Sequence, residues 1–596
     1  MKNIQFPDPF CGQDPNNLKI LTLIELRMRS LAGQILEKPN WWNKVRDTEI
    51  VGKWRKEFVE QDIQLVRKTW FHLQPTDSED DSEEHYGQWS QNKRWPHKVI
   101  TRKQLDYIFD WLKWLADQRD PVTGIEMMHI SNVYQSYNLI SPELREALLR
   151  GASVLESVPE AEKDWHPGSN NQVLDLIHPS LNCLRIGKSL VRNPATGSLY
   201  VPSVDEYIDA REDLGHTPFS STPYSLSRQF QWLPTDFSVS ETGEVQHLSY
   251  INNLHPDDHK ALYLTITTVL ERFVPLWERV LADVASPQRP VIEADPFEWY
   301  QRSLMSEPSE PVLEVIQKDY PGDTDAARRE YYRAYHIWKK LKEPCIPEPD
   351  PFTPPDPKEQ VSLTLKGRKI QVIVKMANIT LTPEVPEYAG GSWHVEGMDN
   401  EKIVAIGIYY YDSSNVTESK ISFRTALCED MDQRYQKGDH KGYLMVYGID
   451  GSDGPLNQNL GSVITKEGKC LAFPNIWQHR VSPFKLVDTS KPGHRKILCF
   501  FLVNPTIEIL STSVVPPQQF DWCMRELERA PAMQNLPVEL FEMITDWLKA
   551  DDAGRGGVIT MEHAKEEREK LMKERAKVVF KQNEQVYELP FSMREH

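Results

Sequence analysis

Gly391-Ser392-Trp393-His394-Val395-Glu396-Gly397 carries an imidazole and a carboxylate two residues apart. In an extended strand that spacing puts both side chains on one face. A second imidazole, His479, arrives much later, in Pro474-Asn475-Ile476-Trp477-Gln478-His479-Arg480-Val481. Two His and one carboxylate can occupy one face of an octahedral Fe(II) and leave the opposite face open for a cosubstrate and O2.

The surrounding chain has the texture of a sandwich or barrel. Short strands separated by turns are expected at 361–366, 369–381, 392–396, 402–411, 419–424, 443–447, 461–465, 470–474 and 495–503. Lys466-Glu467-Gly468-Lys469 reads as a hairpin loop. Several strands lie between Glu396 and His479, so in a jelly-roll the second imidazole returns to the same mouth.

Upstream, residues 343–357 are so rich in proline that the backbone loses donors and runs extended, a spacer laid over the surface. This divides the chain into a mainly helical region 1–342, the spacer 343–357, a β domain 358–515 and a helical extension 516–596. Helices are expected at 17–37, 99–118, 142–156, from Pro256 to about Ala285, and at 323–342. Ser141-Pro142-Glu143 supplies an N-cap followed by Pro at the first helical position. Two strands between Gln229 and Ile251 form a hairpin near 229–251 that either stays in the N-terminal region or extends the barrel's sheets. The run 75–84 (PTDSEDDSEE) reads as a solvated acidic loop, and the last helix, about 560–576, as a solvated surface helix.

The totals exclude several classes. The chain has 596 residues and a formal net charge of −18, which argues against a general nucleic-acid binder. Seven scattered Cys without a CxxC pair suit a reducing compartment better than a disulfide framework or zinc knuckle. The N-terminus lacks the basic and apolar regions of a signal peptide, and no stretch approaches a membrane span. The expectation is a cytoplasmic protein that contacts neither membrane nor nucleic acid. No GxSxG, GxGxxG or P-loop run is present.

Arg495 opens the apolar strand 496–503. A guanidinium entering a buried strand needs an anionic partner. A dicarboxylate cosubstrate supplies one, its distal carboxylate held by the guanidinium fork. Arg480 is the runner-up for this role.

His394-x-Glu396, His479 and Arg495 together resemble the signature of Fe(II)- and 2-oxoglutarate-dependent oxygenases of the double-stranded β-helix fold. More narrowly, the chain resembles a family of long, mostly fungal proteins catalogued as a domain of unknown function. The similar segments run from Asp164 to Ser180, Gln231 to Pro234, Ser249 to Pro256, Gly390 to Gly397, Tyr409 to Tyr411, Phe423-Arg424, Phe473 to Asn475, Gln478-His479 and Gly493 to Arg495. The resemblance implies an α+β protein whose jelly-roll, cupin-like core holds Fe(II) through His394, Glu396 and His479. It implies binding of 2-oxoglutarate with Arg495 on its tail, and oxidation of a substrate C–H bond by O2 with release of succinate and CO2. Hydroxylation, desaturation or ring closure are all compatible. The broad oxygenase pattern has Asp where this chain has Glu396; Asp399 is a poorer ligand on strand parity.

Further candidates follow from position. Tyr409 and Tyr411 share a strand face and are candidates to donate to the cosubstrate. Ile421 and Phe423 share a face and are candidate walls of the substrate pocket; Arg424 is a candidate for a substrate carboxylate. Lys375 and Asn378 are weaker candidates on the preceding strand. His255 and His259 have zinc-like spacing, but Pro256 puts His255 outside a helix in a capping role. His166 and His178 each precede a proline and read as turn and packing residues; His494 reads as structural or exposed. The favoured substrate is a small polar metabolite, a free amino acid or related carboxylic acid. The alternatives are an oxygenase acting on a protein side chain and a non-catalytic metal-binding barrel.

Overall fold

The computed structural model describes residues 4–10, 20–71, 99–212, 224–287, 289–300, 310–341, 344–427, 439–549 and 557–593. The acidic run 75–84 lies outside them. Helices and antiparallel sheets are mixed, and the longest strand, Arg368–Leu381, organises the sheet that carries the core.

That sheet runs in the spatial order Glu126–Met127, Tyr134–Ser136, Cys470–Pro474, Ile403–Ser414, Gly493–Val503, Arg368–Leu381, Thr235–Val239, Val245–His247; Val173–Ile177 also pairs with Arg368–Leu381. Strands from both sides of the proline-rich stretch are therefore hydrogen-bonded in one sheet. The hairpin near 229–251 extends it through Thr235–Val239. A second sheet holds Asn457–Thr465, Ser419–Ala426 and Gln478–Val481, and a two-stranded ribbon pairs Glu387–Tyr388 with Phe484–Lys485.

Side-chain alternation gives the large sheet two cores. Val372, Val374, Met376, Tyr409, Tyr411 and Phe500 face the helix Lys260–Val284 and pack with Phe273 and Trp277. Phe273 meets Phe500 at 5.5 Å between ring centroids, a contact that adds about 0.5–1.5 kcal/mol to the area it buries. Gly407 permits the approach, because a Cβ there would stand 2.5 Å from Phe273. On the other face, Ile373, Ile406, Ile408, Tyr410, Cys499 and Phe501 meet Ile421, Phe423 and Val463 of the small sheet. The candidate site opens from this inter-sheet layer.

Several sequence expectations change. Residues 443–447 are helical, within His440–Tyr447: Asp439 caps the N-terminus and Gly448 takes the left-handed conformation at the other end. The turn at 466–469 is not a hairpin. It carries the chain from Asn457–Thr465 in the small sheet to Cys470–Pro474 in the large one. Residues 361–366 and 392–396 form no strand. The long helix starts at Lys260, so His255, Pro256 and His259 all precede it. Pro142–Glu156 begins on a Ser141 side-chain cap as the sequence predicts. In the proline-rich stretch, Phe352 seats on Tyr107 and Trp114.

The last helix, Met561–Gln582, is not merely a solvated face. Arg568 makes a two-pronged ion pair with Asp164, and Arg575 lies over Trp232 at 3.6 Å while donating to Glu401 at 2.8 Å. These two arginines turn toward the body of the protein because they find partners there, which charge composition does not reveal. Among the described residues no helix is long and apolar enough to cross a membrane.

Candidate metal centre

His394 and Glu396 lie in an irregular segment, so their common orientation does not come from a strand. Two clamps replace it. The backbones of His394 and His479 exchange both hydrogen bonds, at 3.2 and 2.9 Å. Asn475, fully buried, accepts from the Glu396 N–H at 2.8 Å and donates to the carbonyls of Glu396 and Ile403 at 2.9 and 3.1 Å. Gly390 keeps φ +89°, where a Cβ would stand 2.7 Å from the Val481 carbonyl. Trp393 points away from the centre, under Arg424 and Arg480, at 4.9 and 4.6 Å from their guanidinium carbons.

The three candidate ligands then converge. Glu396 Oε1 stands 3.6 Å from both His394 Nε2 and His479 Nε2, and ligand atoms of all three lie within 4.8 Å of one another. His394 Nδ1 donates to the Ser392 carbonyl at 2.8 Å, which leaves Nε2 with its lone pair facing the centre. The His394 side chain is 32% exposed against 4% for His479, so the open face lies on the His394 side. Burial alone would raise the Glu396 pKa, but the adjacent imidazoles of His394 and His479, with the charge of Lys375, hold it well below the carboxylate range. Burial would lower His394, and the adjacent carboxylate overrides it upward. Burial and the neighbouring His394 push His479 down.

A second cluster, His166, Asp175 and His178, also has metal-like spacing. Its tautomers argue otherwise. The Ser180 N–H donates to His178 Nδ1 at 3.2 Å, so the ring proton sits on Nε2, the atom facing Asp175. Burial holds the His178 pKa down at about 3, keeping the ring neutral. His166 Nδ1 donates to Asp175 at 2.8 Å. This set is hydrogen-bonded around a carboxylate, in keeping with packing roles for both His.

Arg495 faces the inter-sheet space and is buried. Its Nη1 donates to the hydroxyls of Ser419 and Thr465, its plane covers Tyr410 at 4.9 Å, and its Nε has no hydrogen-bond acceptor. Among the described residues no carboxylate pairs with it. Buried guanidinium without a counter-charge costs several kcal/mol, so the arrangement suits an anionic ligand. Ser419 lies four residues before Phe423, the residue registered opposite His479. That is roughly 13 Å along the strand, a span that an Arg side chain and a five-carbon dicarboxylate together can bridge.

Other candidates fall in different places. Tyr409 and Tyr411 face the helix core, and Tyr411 donates to Asn378. Strand parity puts Tyr410 inward instead, so neither flanking tyrosine reaches the cosubstrate side. Asn378 is held by Tyr411 and Glu156 on that same outer side. Ile421 and Phe423 face the interior, and Phe423 meets Phe473, which in turn meets His479 at 5.0 Å. Arg424 does not join them. It reaches the C-terminal segment, donating to Gln478 and Asn583 and pairing with Glu588. Arg480 is exposed over Trp393, and His494 pairs with Asp412. Asp399 contacts Lys402, outside the centre. Sequence reasoning gave no role to Asn475, Ser419 or Thr465; an Asn four residues before His479 was the available signal for the first, and only strand pairing reveals the others.

No curated protein matches the sequence. Among solved structures, the chain is similar to an Fe(II)/(alpha)ketoglutarate-dependent dioxygenase, TqaL, with 12% identity and a TM-score of 0.22, covering 62% of this chain and 94% of that one. It is also similar to IDO from Bacillus thuringiensis, with 11% identity, a TM-score of 0.14 and coverage of 23% and 46%. A third is hydroquinone 1,2-dioxygenase PnpCD, with 16% identity, a TM-score of 0.12 and coverage of 24% and 65%. A family model described as Domain of unknown function DUF4246, N-terminal, matches residues 2–57. A second, described as Protein of unknown function (DUF4246), matches residues 102–526, most of the chain, and the protein belongs to that family.

Proposed function

We propose that the protein is an Fe(II)- and 2-oxoglutarate-dependent oxygenase on a double-stranded β-helix, acting on a small polar metabolite such as an amino acid or related carboxylic acid. One observation carries this reading: two imidazoles and a carboxylate converge beside an inter-sheet space whose wall holds a buried guanidinium that has no counter-charge among the described residues. The donor set fits Fe(II), with nitrogen and oxygen ligands on one side and solvent on the other.

In this reading His394, Glu396 and His479 hold the metal, and Arg495, with the Ser419 and Thr465 hydroxyls, holds the distal carboxylate of 2-oxoglutarate. Fe(II) with 2-oxoglutarate and O2 supplies oxidative decarboxylation, to succinate and CO2, coupled to oxidation of a C–H bond. The chain's own contribution is placement. The mutual backbone bridge sets the spacing of the imidazoles, Ser392 fixes the His394 tautomer, and Asn475 fixes the Glu396 backbone. Phe423 and Phe473 keep water from the His479 side.

The test is the visible absorption band of the anaerobic protein with Fe(II) and 2-oxoglutarate. We expect the band in the parent and its loss in His479→Ala; a parent protein without it would refute the reading.

A further inference from the structure

A single guanidinium touches the chain neighbours of both histidine ligands. Arg424 lies opposite Gln478 in the small sheet, one pair along from Phe423 and His479. Strand parity turns Phe423 and His479 inward and sends Arg424 and Gln478 to the other face. There Arg424 Nε donates to Gln478 Oε1 at 2.7 Å, and its guanidinium carbon stands 4.9 Å from the centre of the Trp393 ring. Gln478 directly precedes His479, and Trp393 directly precedes His394. Arg424 and Gln478 are both buried.

The same guanidinium is anchored from behind by the end of the chain. Asn583, in the turn that follows the helix Met561–Gln582, accepts from Arg424 Nη2 at 3.1 Å and from Gln478 Nε2 at 2.7 Å. Glu588 pairs with Arg424 Nη2 at 2.9 Å. Tyr587, fully buried, donates to the Ile476 carbonyl at 2.9 Å and shares a core cluster with Val395, the residue between His394 and Glu396. The turn 583–588 therefore holds both ligand-bearing segments on the side away from the metal centre. His394 needs that support more than His479 does. Its segment is irregular and meets the sheet only through the bridge to His479, so contacts at Trp393 and Val395 set its tilt.

We propose that Arg424 is a positioning residue through which docking of the turn 583–588 and occupancy of the metal centre are coupled, each strengthening the other. This rests on the metal-binding part of the oxygenase reading and adds to it a control element near the end of the chain. Such coupling is reciprocal: the factor by which the docked turn raises metal affinity is the factor by which the metal favours docking.

The test uses the full chain and Co(II), followed by its visible absorption as it fills the site, with hydrogen exchange of residues 583–588 measured with and without the ion. In the parent, Co(II) should slow exchange in that turn at least about fivefold. Arg424→Met should lower Co(II) affinity about tenfold, and the slowing should disappear. Asn583→Ala cuts the contact from the turn's side and leaves Arg424 in place. It should lower affinity about fivefold and, combined with Arg424→Met, add little further. A purely structural arginine would behave differently: Arg424→Met would melt earlier, yet the folded variant would bind Co(II) within about twofold of the parent, and that result would overturn the proposal. If Arg424→Met does not fold, Asn583→Ala decides by the same criterion. Exchange in the turn that ignores Co(II) in the parent would also overturn it. His479→Ala is the control. A parent that binds Co(II) no better than this variant would refute the metal centre and the coupling with it. A parent that binds Co(II), with Arg424 and Asn583 variants that bind it equally well, would refute the coupling alone.

Discussion

His394 and His479 are joined through their backbones: each N–H donates to the other's carbonyl, at 3.2 and 2.9 Å, and their rings stand 4.5 Å apart. The bridge makes imidazole spacing a property of the main chain, so removing either ring should leave the segment in place. We expect His394→Ala and His479→Ala each to melt within about 1 kcal/mol of the metal-free parent. Each should lose at least about a hundredfold in Fe(II) or Co(II) affinity. Calorimetric titration checks the second expectation and thermal denaturation the first.

Asn475 holds Glu396 by its backbone, not by its carboxylate. Asn475→Ala would leave the Glu396 N–H and two carbonyls without partners in a buried place. At about 1–3 kcal/mol per orphaned group, with some relaxation, we expect a loss of about 3 kcal/mol. Metal affinity should fall about 10- to 100-fold, because the ligand's support is gone while the ligand remains. Denaturant unfolding and metal titration measure the two effects separately.

Arg495 should behave in opposite ways toward stability and ligand. Without an anion its burial is a cost, so Arg495→Met should be neutral or stabilise the ligand-free protein by about 1–4 kcal/mol. The same change should weaken 2-oxoglutarate binding about a hundredfold or more. Arg495→Lys should restore little of it, since one ammonium cannot reproduce the guanidinium fork. A large destabilisation of ligand-free Arg495→Met would show that the arginine is structural.

Metal binding should depend on pH with a definite sign. Glu396 is depressed well below its ordinary pKa, so it stays ionised across the neutral range. His394 is raised, so its proton competes with the metal at a higher pH than an ordinary imidazole would allow. Metal affinity should therefore rise with pH through and above the usual imidazole range of about 6.5. The stability that the raised His394 contributes to the metal-free protein is present below that range and is lost as pH rises through its folded value. Metal titrations from acid to mildly alkaline buffer should show affinity increasing; a flat profile would count against His394 as a ligand.

Arg575 supports the loop that follows Glu396. Glu401 is fully buried, and it accepts from Arg575, from the Trp232 N–H and from the Met398 N–H. Arg575→Ala should cost about 3 kcal/mol by leaving that carboxylate without its cation, and thermal denaturation will read it.

What the sequence by itself determined was chemistry and local order. The types and spacing of His394, Glu396, His479 and Arg495 were readable, as was the Ser141-Pro142 helix start. These rest on local side-chain chemistry and on backbone preference. Tertiary structure decided the rest. Only strand pairing turns Tyr410 inward while Tyr409 and Tyr411 face the helix, because parity becomes a direction once the sheet has a covered face. Only long-range contact makes Asn475 the clamp on Glu396, and only it draws Arg568 and Arg575 of a charge-rich helix onto Asp164 and Glu401. The segment at 443–447 has strand-like residues, yet its end caps and its packing make it a helix. Pairing across distant parts of the chain, including strands from both sides of the proline-rich stretch, has no local signature, since its free energy exists only once the partners have met.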